Sequence, residues 1–269
     1  MNKNKREHKE IFFNVLTRTS NRPRGFHNCH QSIVNQTYKN VKHFVSYENE
    51  KDLDYINSYD LVKVKVSKTS SEVLVNANNE PFAPYNLFCN DLLDEVENGW
   101  ILFLDDDDNF FHNKVLEELA IKIVKADEDT LFIWQMRYPS GKVLPLSKHF
   151  KNEEIEINHI GSPCIAFHSK YKDSVRWDSW KRSDFRFINK LFNKLAKKVW
   201  IKEVYIQINN HGDFGRKNDI STKPKLPYLF KKTYIWSLIP KYHWAFWNIY
   251  LFHKKTYRSL FKKIKMKLS

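Results

Sequence analysis

Four consecutive aspartates, Asp105 to Asp108, end an apolar run in the stretch GWILFLDDDDNF, Gly99 to Phe110. Carboxylates side by side repel, so a fold that keeps them together offsets their charge with a cation or a bound ligand. Hard divalent cations such as Mg²⁺ or Mn²⁺ take oxygen ligands, and enzymes hold them with one or two carboxylates plus substrate phosphates. In an extended strand end, alternate residues point the same way. Asp105 and Asp107 then share one face, and Asp106 and Asp108 the other. One pair would reach a metal–diphosphate while the other caps the adjoining turn. A solvated acidic turn is the alternative reading of the same four residues.

The aspartates need elements to place them. Ile11–Thr19 reads as a buried strand, Gly25–Gln36 as a helix with Phe26, Cys29, Ile33 and Val34 inward, and Val41–Tyr47 as a second strand. Leu61–Ser67 alternates like a strand with one exposed face. Pro84 is placed to open a helix running to Asn98, and Trp100–Asp105 is apolar enough to be a central strand. Asn113 is expected to cap the next helix. Strand–helix–strand alternation of this kind predicts a mostly parallel sheet covered on both faces, with ligands bound at the carboxyl ends of the strands. Thr17–Arg18, Tyr47–Glu48 and Asp105–Asp108 all fall at such ends. The second half reads as shorter strands (Thr130–Tyr138, the VLPL, IEINHI and CIAFH runs, and Val199–Asn209) with an amphipathic helix over Ser183–Lys198.

Composition sets the outer limits. The chain has 269 residues, 42% hydrophobic and 28% charged, which suits a folded domain with a real core. Formal charge is +14, but eleven Lys/Arg and no acid lie between Lys225 and Ser269, leaving +3 for the first 224 residues. The body therefore needs no nucleic acid to explain its charge, and a nucleic-acid partner is not expected. Cys29, Cys89 and Cys164 are scattered, which suits a reducing compartment rather than a disulfide framework. The polar start, MNKNKREHKE, has no signal-peptide core, so a cytoplasmic location is expected. HNCH, His27 to His30, lies inside a helical pattern with no second ligand cluster. Cys164 reads as core rather than nucleophile.

In order and spacing, FNVLTRTSNRPRGFHNCHQSIVNQTYKNVKHFVSYE followed by GWILFLDDDD resembles nucleotide-sugar-dependent glycosyltransferases of the GT-A fold, in the inverting family 2. The resemblance covers Ile11 to Gly215. It implies an α/β, Rossmann-like, mixed and mostly parallel sheet flanked by helices, over a domain of residues 1–225. Three later landmarks have matches: Gly161 in HIGSPCIAF, Asp184 in RSDFRFI, and His211 in NNHGDFG. Ser183 stands where the family often has a Glu before the Asp.

The resemblance implies roles. Thr17, Arg18, Glu48, Asp105, Asp106 and Gly161 would surround the nucleotide-sugar. Asp105, Asp107 and His211 would hold Mn²⁺ or Mg²⁺, and Asp184 would be the catalytic base. Glu48 replaces a family Asp, so its reach toward the base ring differs. A helix cap is the plain alternative for Asp184, a turn histidine for His211 and a surface salt bridge for Arg18. The donor implied is a nucleotide-diphospho-sugar, UDP-sugar first, and the acceptor a glycan or lipid-linked saccharide. The alternative is a catalytically degenerate GT-A domain that binds a glycan or membrane surface.

Residues 226–269 mix Trp, Tyr and Phe with Lys and Arg. Leu260, Phe261, Ile264 and Leu268 against Lys262, Lys263, Lys265 and Lys267 form an amphipathic helical pattern. Such a basic aromatic tail suits the headgroup region of an anionic bilayer, placing the protein peripherally on the inner face of a membrane. Helices packed on the core, or a nucleic-acid arm, are the alternatives.

Overall fold

The structure, a computed structural model, describes residues 10–67 and 74–209. The expectations for His211 and for the tail, 226–269, lie outside the described residues.

The first half is a run of parallel strands joined by helices. Phe13–Arg18 (β1) is followed by Pro23–Val34 (α1), Val41–Tyr47 (β2), Leu53–Ile56 (α2), Val62–Lys65 (β3), Phe88–Asp94 (α3) and Trp100–Phe103 (β4). β1 lies between β2 and β4, and every pairing from β3 through β4 is parallel. The four residues of β4 are all buried, as a central strand of unbroken apolar sequence requires. Gly99 starts that strand at φ +99°, where a Cβ would lie 2.6 Å from the Phe12 carbonyl oxygen. Only glycine fits so close an approach at that backbone angle.

The second half comprises Asn109–Phe110 (β5), Val115–Ile123 (α4), Thr130–Arg137 (β6), Val143–Leu144 (β7), Ser147–Asn152 (α5), Ile165–His168 (β8), Ser183–Lys194 (α6) and Lys197–Gln207 (β9). The sheet order is β3-β2-β1-β4-β8-β6-β9-β5, with β7 on β6. Six of its nine strands point one way, and β5, β7 and β8 run against them. This is a mixed, mostly parallel sheet flanked by helices. No helix among the described residues is long and apolar enough to cross a membrane.

Three local expectations change. IEINHI is a turn, not a strand: its alternation buries only Ile160, while Ile157 is 38% exposed. Lys114, not Asn113, precedes α4, and no side chain caps it. The helix expected through Lys198 stops at Lys194, and β9 starts at Lys197.

His30 and His43 share a buried contact between α1 and β2. Their Nδ1 atoms are 3.0 Å apart, and His43 Nε2 lies 2.9 Å from Thr17 Oγ1. His30 of HNCH therefore serves packing, while His27 is exposed with its Nδ1 2.8 Å from the Tyr59 hydroxyl. Burial, reinforced by His30, pushes the His43 imidazole down to about 3. An unfolded histidine binds its proton below about 6.5, so stability is full above that pH and is lost as pH falls toward 3. We expect the urea midpoint to fall between pH 7 and pH 5, by up to about 1.4 kcal/mol of stability per pH unit from this residue. His43→Gln, which does not titrate, should flatten that slope; an unchanged slope refutes the assignment.

Candidate active site

The carboxyl ends of β1 and β4 lie side by side. Leu16 pairs with Phe103, and the ladder continues through the Leu104 amide to the Leu16 carbonyl at 3.0 Å. Two residues on, Arg18 and Asp105 face each other, and the Arg18 guanidinium donates to Asp105 Oδ1 at 2.8 Å. Its other terminal nitrogen donates to Asn86 Oδ1 at 3.1 Å. The guanidinium also sits 5.6 Å from the Trp177 ring centroid and 5.9 Å from that of Tyr85. Strand alternation forces the neighbouring Thr17 to the opposite face. There Thr17 is fully buried against His43 and Cys29. Thr19 lines the cavity and Thr17 does not.

The aspartates leave the strand in a tight turn, with the Asp108 amide bonded to the Asp105 carbonyl at 2.9 Å. The expected alternation of faces is therefore replaced. Arg22 Nη1 lies 2.6 Å from Asp106 Oδ1 and 3.3 Å from Asp107 Oδ1, so those two neighbours share one guanidinium. Asp106 Oδ2 also accepts from Thr19 Oγ1 at 2.9 Å and from the Ser20 amide at 3.3 Å. Asp108 Oδ1 accepts from the Asn209 amide at 2.9 Å, and Asn209 Nδ2 donates to the Asp107 carbonyl at 2.8 Å. The last described residue of the domain is thereby fixed to the acidic turn, two positions before His211.

Burial, with charge repulsion behind it, shows in the carboxyls. Burial pushes Asp106 up to about 7, against the pull of Arg22 and with the help of Asp107 and Asp105. Asp108 is raised well above the ordinary range by burial, then by Asp107 and Asp105.

The start of α6 lines the same cavity as the turn. Arg186 donates to both Asp178 oxygens, at 2.6 and 2.7 Å, and to both Glu80 oxygens at 2.8 Å. Ser183 Oγ accepts from the Asp178 amide at 2.9 Å. Phe187 stacks on Trp177 with centroids 5.1 Å apart and meets Phe103 edge-on. These contacts hold Asp184, half-buried, at the cavity wall. Burial raises its carboxyl above the usual range; the Phe185 amide and Arg18 oppose the shift, and Asp105 adds to it.

This cavity has a volume of about 480 Å³. Arg18, the four aspartates, Gly161 and Asp184 all line it. That volume lies within the range of small-molecule sites. Gly161 is extended, and a Cβ there would meet Pro163 Cδ at 3.4 Å and Met136 Cε at 3.6 Å. A third neighbour, Met136 Sδ at 3.8 Å, is also in ordinary contact, so backbone conformation does not demand glycine at this position. Glu48 is not among the lining residues; it follows the end of β2, half-buried. Cys164 and Cys89 are buried, and burial pushes both thiols up to about 12, so neither is a ready nucleophile.

Sequence reasoning missed Arg22, Asn86 and Trp177. Arg22 had a signal: it directly precedes Pro23, the first residue of α1, just past the end of β1. Asn86 and Trp177 reach Arg18 only through the tertiary fold.

A mixed sheet in this order, with an acidic turn after its central strand and a carboxylate at a helix start lining the same cavity, defines the GT-A class of fold. Solved structures of TarS from S. aureus share it. TarS 1–349 superposes with a TM-score of 0.60 at 16% identity, over 75% of this chain and 61% of that one. TarS 1–349 in complex with UDP-GlcNAc gives 0.58 at 18%, over 75% of this chain and 59% of that one. The complex with UDP gives 0.57 at 19%, over 74% and 60%. The match thus spans about three fifths of those chains, and at this identity it carries the fold alone. No protein-family model matches the chain, and neither does any curated protein.

Proposed function

We propose that the chain is a metal-dependent glycosyltransferase. It would move a sugar, with inversion, from a nucleotide-diphospho-sugar to a hydroxyl of a glycan or lipid-linked saccharide. The observation that supports this best is the convergence of Asp105, Asp107, Arg18 and Asp184 on one cavity at the carboxyl edge of the sheet. The TarS structures solved with UDP-GlcNAc and UDP make a UDP-sugar the first donor to try.

The donor set fits a hard dication. Five carboxylates, Asp105 to Asp108 and Asp184, line the cavity against four cationic side chains, Arg18, Arg22, Lys181 and Arg182. Asp107 and Asp105 would hold Mn²⁺ or Mg²⁺, with His211 as the later ligand that the family resemblance implies. The ion, when bound, neutralises the leaving diphosphate. Arg18, braced by Asn86 and Asp105, orients the nucleotide. Asp184 takes the proton of the acceptor hydroxyl at the start of α6. Gly161 keeps its part of the wall free of a side chain. Thr17 and Glu48, placed elsewhere, take no part in this reading.

The binding-module alternative rests on Arg22, which already offsets Asp106 and Asp107. A thermal-shift screen of UDP, GDP and ADP, each with and without Mn²⁺, separates the two. A ligand at a hundred times its Kd adds about 2.7 kcal/mol, roughly 5–10 °C for a domain of this size. The transferase reading expects UDP to raise Tm only together with Mn²⁺. Shifts that ignore the metal favour the binding module, and no shift with any nucleotide refutes both nucleotide site and enzyme.

The tail, 226–269, would hold the protein at an anionic membrane surface, on the strength of its basic and aromatic composition. Cosedimentation with phosphatidylserine vesicles should be lost when it is deleted; retention by the truncated chain would refute this.

A further inference from the structure

Outside the cavity, three side chains converge on one carboxylate oxygen. Glu156 Oε2 lies 2.8 Å from Lys148 Nζ, 2.9 Å from His149 Nε2 and 3.0 Å from His159 Nδ1. The ligand atoms of His149, Glu156 and His159 all lie within 4.8 Å of one another. The imidazole centroids are 5.0 Å apart. We propose that His149, Glu156 and His159 form a second metal site, for a zinc-class transition ion, that clamps the loop between α5 and β8.

The donor chemistry differs from that of the acidic turn. Two imidazoles and one carboxylate suit Zn²⁺ far better than Mg²⁺, which prefers oxygen alone. Zinc bonds of about 2.0–2.2 Å place tetrahedral ligand atoms roughly 3.3–3.5 Å apart. The observed 2.9 and 3.0 Å separations need to open by only a few tenths of an ångström. His149 is fully buried and fixed on α5, Glu156 is half exposed, and His159 lies between. A site with three protein ligands leaves a fourth position for water.

The backbone gives an independent reason for a clamp. Glu153 and Asn158 sit at φ +53° and +65°. Left-handed conformation suits Asn but strains a Glu, and it persists only where surrounding contacts fix it. An ion shared by α5 and the turn ties down both sides of these two residues. The same loop carries Asn158, Ile160 and Gly161 to the cavity wall. The clamp would therefore set the shape of that wall without touching the acidic turn. Lys148 competes, because its ammonium holds the same oxygen and must swing away when the ion binds.

The test uses the full chain, freed of metal by a chelator and titrated with Zn²⁺ alone by calorimetry. Wild type and Asp107→Asn should each bind one Zn²⁺ with matching affinity at this site. Glu156→Gln and His159→Gln should weaken it on the order of a hundredfold or more, since loss of even an outer partner of a metal ligand costs about 10–100-fold. Lys148→Met should tighten it. Glu156 is exposed enough that its variant tests the site even if His159→Gln fails to fold. Wild type that takes up no Zn²⁺, binding that disappears in Asp107→Asn, or affinity unchanged in Glu156→Gln overturns the proposal.

Discussion

Asp184→Asn should lower turnover by about 10²–10⁴-fold, the usual contribution of a positioned general base. The amide keeps the size and hydrogen-bonding reach of the side chain but cannot take a proton. Asp184 faces a cavity also lined by Asp105 and Arg18, and the start of α6 is braced by Arg186, Asp178 and Ser183. Its environment should thus survive the change, and nucleotide affinity should stay at the wild-type value. The measurement is nucleotide release in the presence of acceptor, beside nucleotide binding by calorimetry. Because burial raises the Asp184 carboxyl, the acid limb of kcat/KM should lie above the ordinary carboxyl range, with activity lost as pH falls through it. If Asp184 merely begins the helix, Asp184→Asn leaves turnover intact, since Asn serves a helix start as well as Asp.

A large effect on stability is expected from Asp106→Ala. Asp106 receives the Thr19 hydroxyl, the Ser20 amide and Arg22, and so ties the loop between β1 and α1 to the acidic turn. Arg22 is 5% exposed, and its Nε and Nη2 are buried with no hydrogen-bond partner among the described residues. Removing Asp106 leaves this guanidinium only the longer contact with Asp107, and breaking a buried pair from one side costs up to about 3–5 kcal/mol. Arg22→Met should cost a similar amount, by leaving the carboxylates uncompensated. The double variant should be less damaged than the sum, by roughly 0.5–3 kcal/mol, because one interaction is lost twice. Urea melts of the three variants check this. Strict additivity would mean that Arg22 and Asp106 are not energetically joined.

What the sequence made legible follows from how local each signal is. β4 was readable because its side chains are buried on both faces, which leaves a continuous apolar run, while β1 and β2 showed shorter apolar runs broken by Asn14, Lys42 and His43. The position of the acidic turn was readable for the same reason. Its internal geometry was not, since nothing in four identical residues says where a strand becomes a turn. The choice between Thr17 and Arg18 was within reach, because alternation lets only one of two neighbours face the site. IEINHI misled through its period of two, and α5, six residues long, is too short to show a helical period. Asn86 lies 68 positions from the arginine it braces, so only folding brings them together.

β8 runs backwards between β4 and β6, and this single reversal partitions the pocket. The floor against the acidic turn comes from segments that end β1 and β4, all before residue 110. The rest of the lining comes from the end of β6 (Met136, Tyr138), from segments that precede β8 or open α6, and from Ile208 after β9, all after residue 135 apart from Tyr85, Asn86 and Phe88. On the proposed transferase reading, mutational drift in the later segments reshapes what is received without rebuilding what grips the donor. Descendants of such a chain would diversify by acceptor first, and hybrids spliced between α4 and β6 should keep the donor preference of their amino-terminal parent.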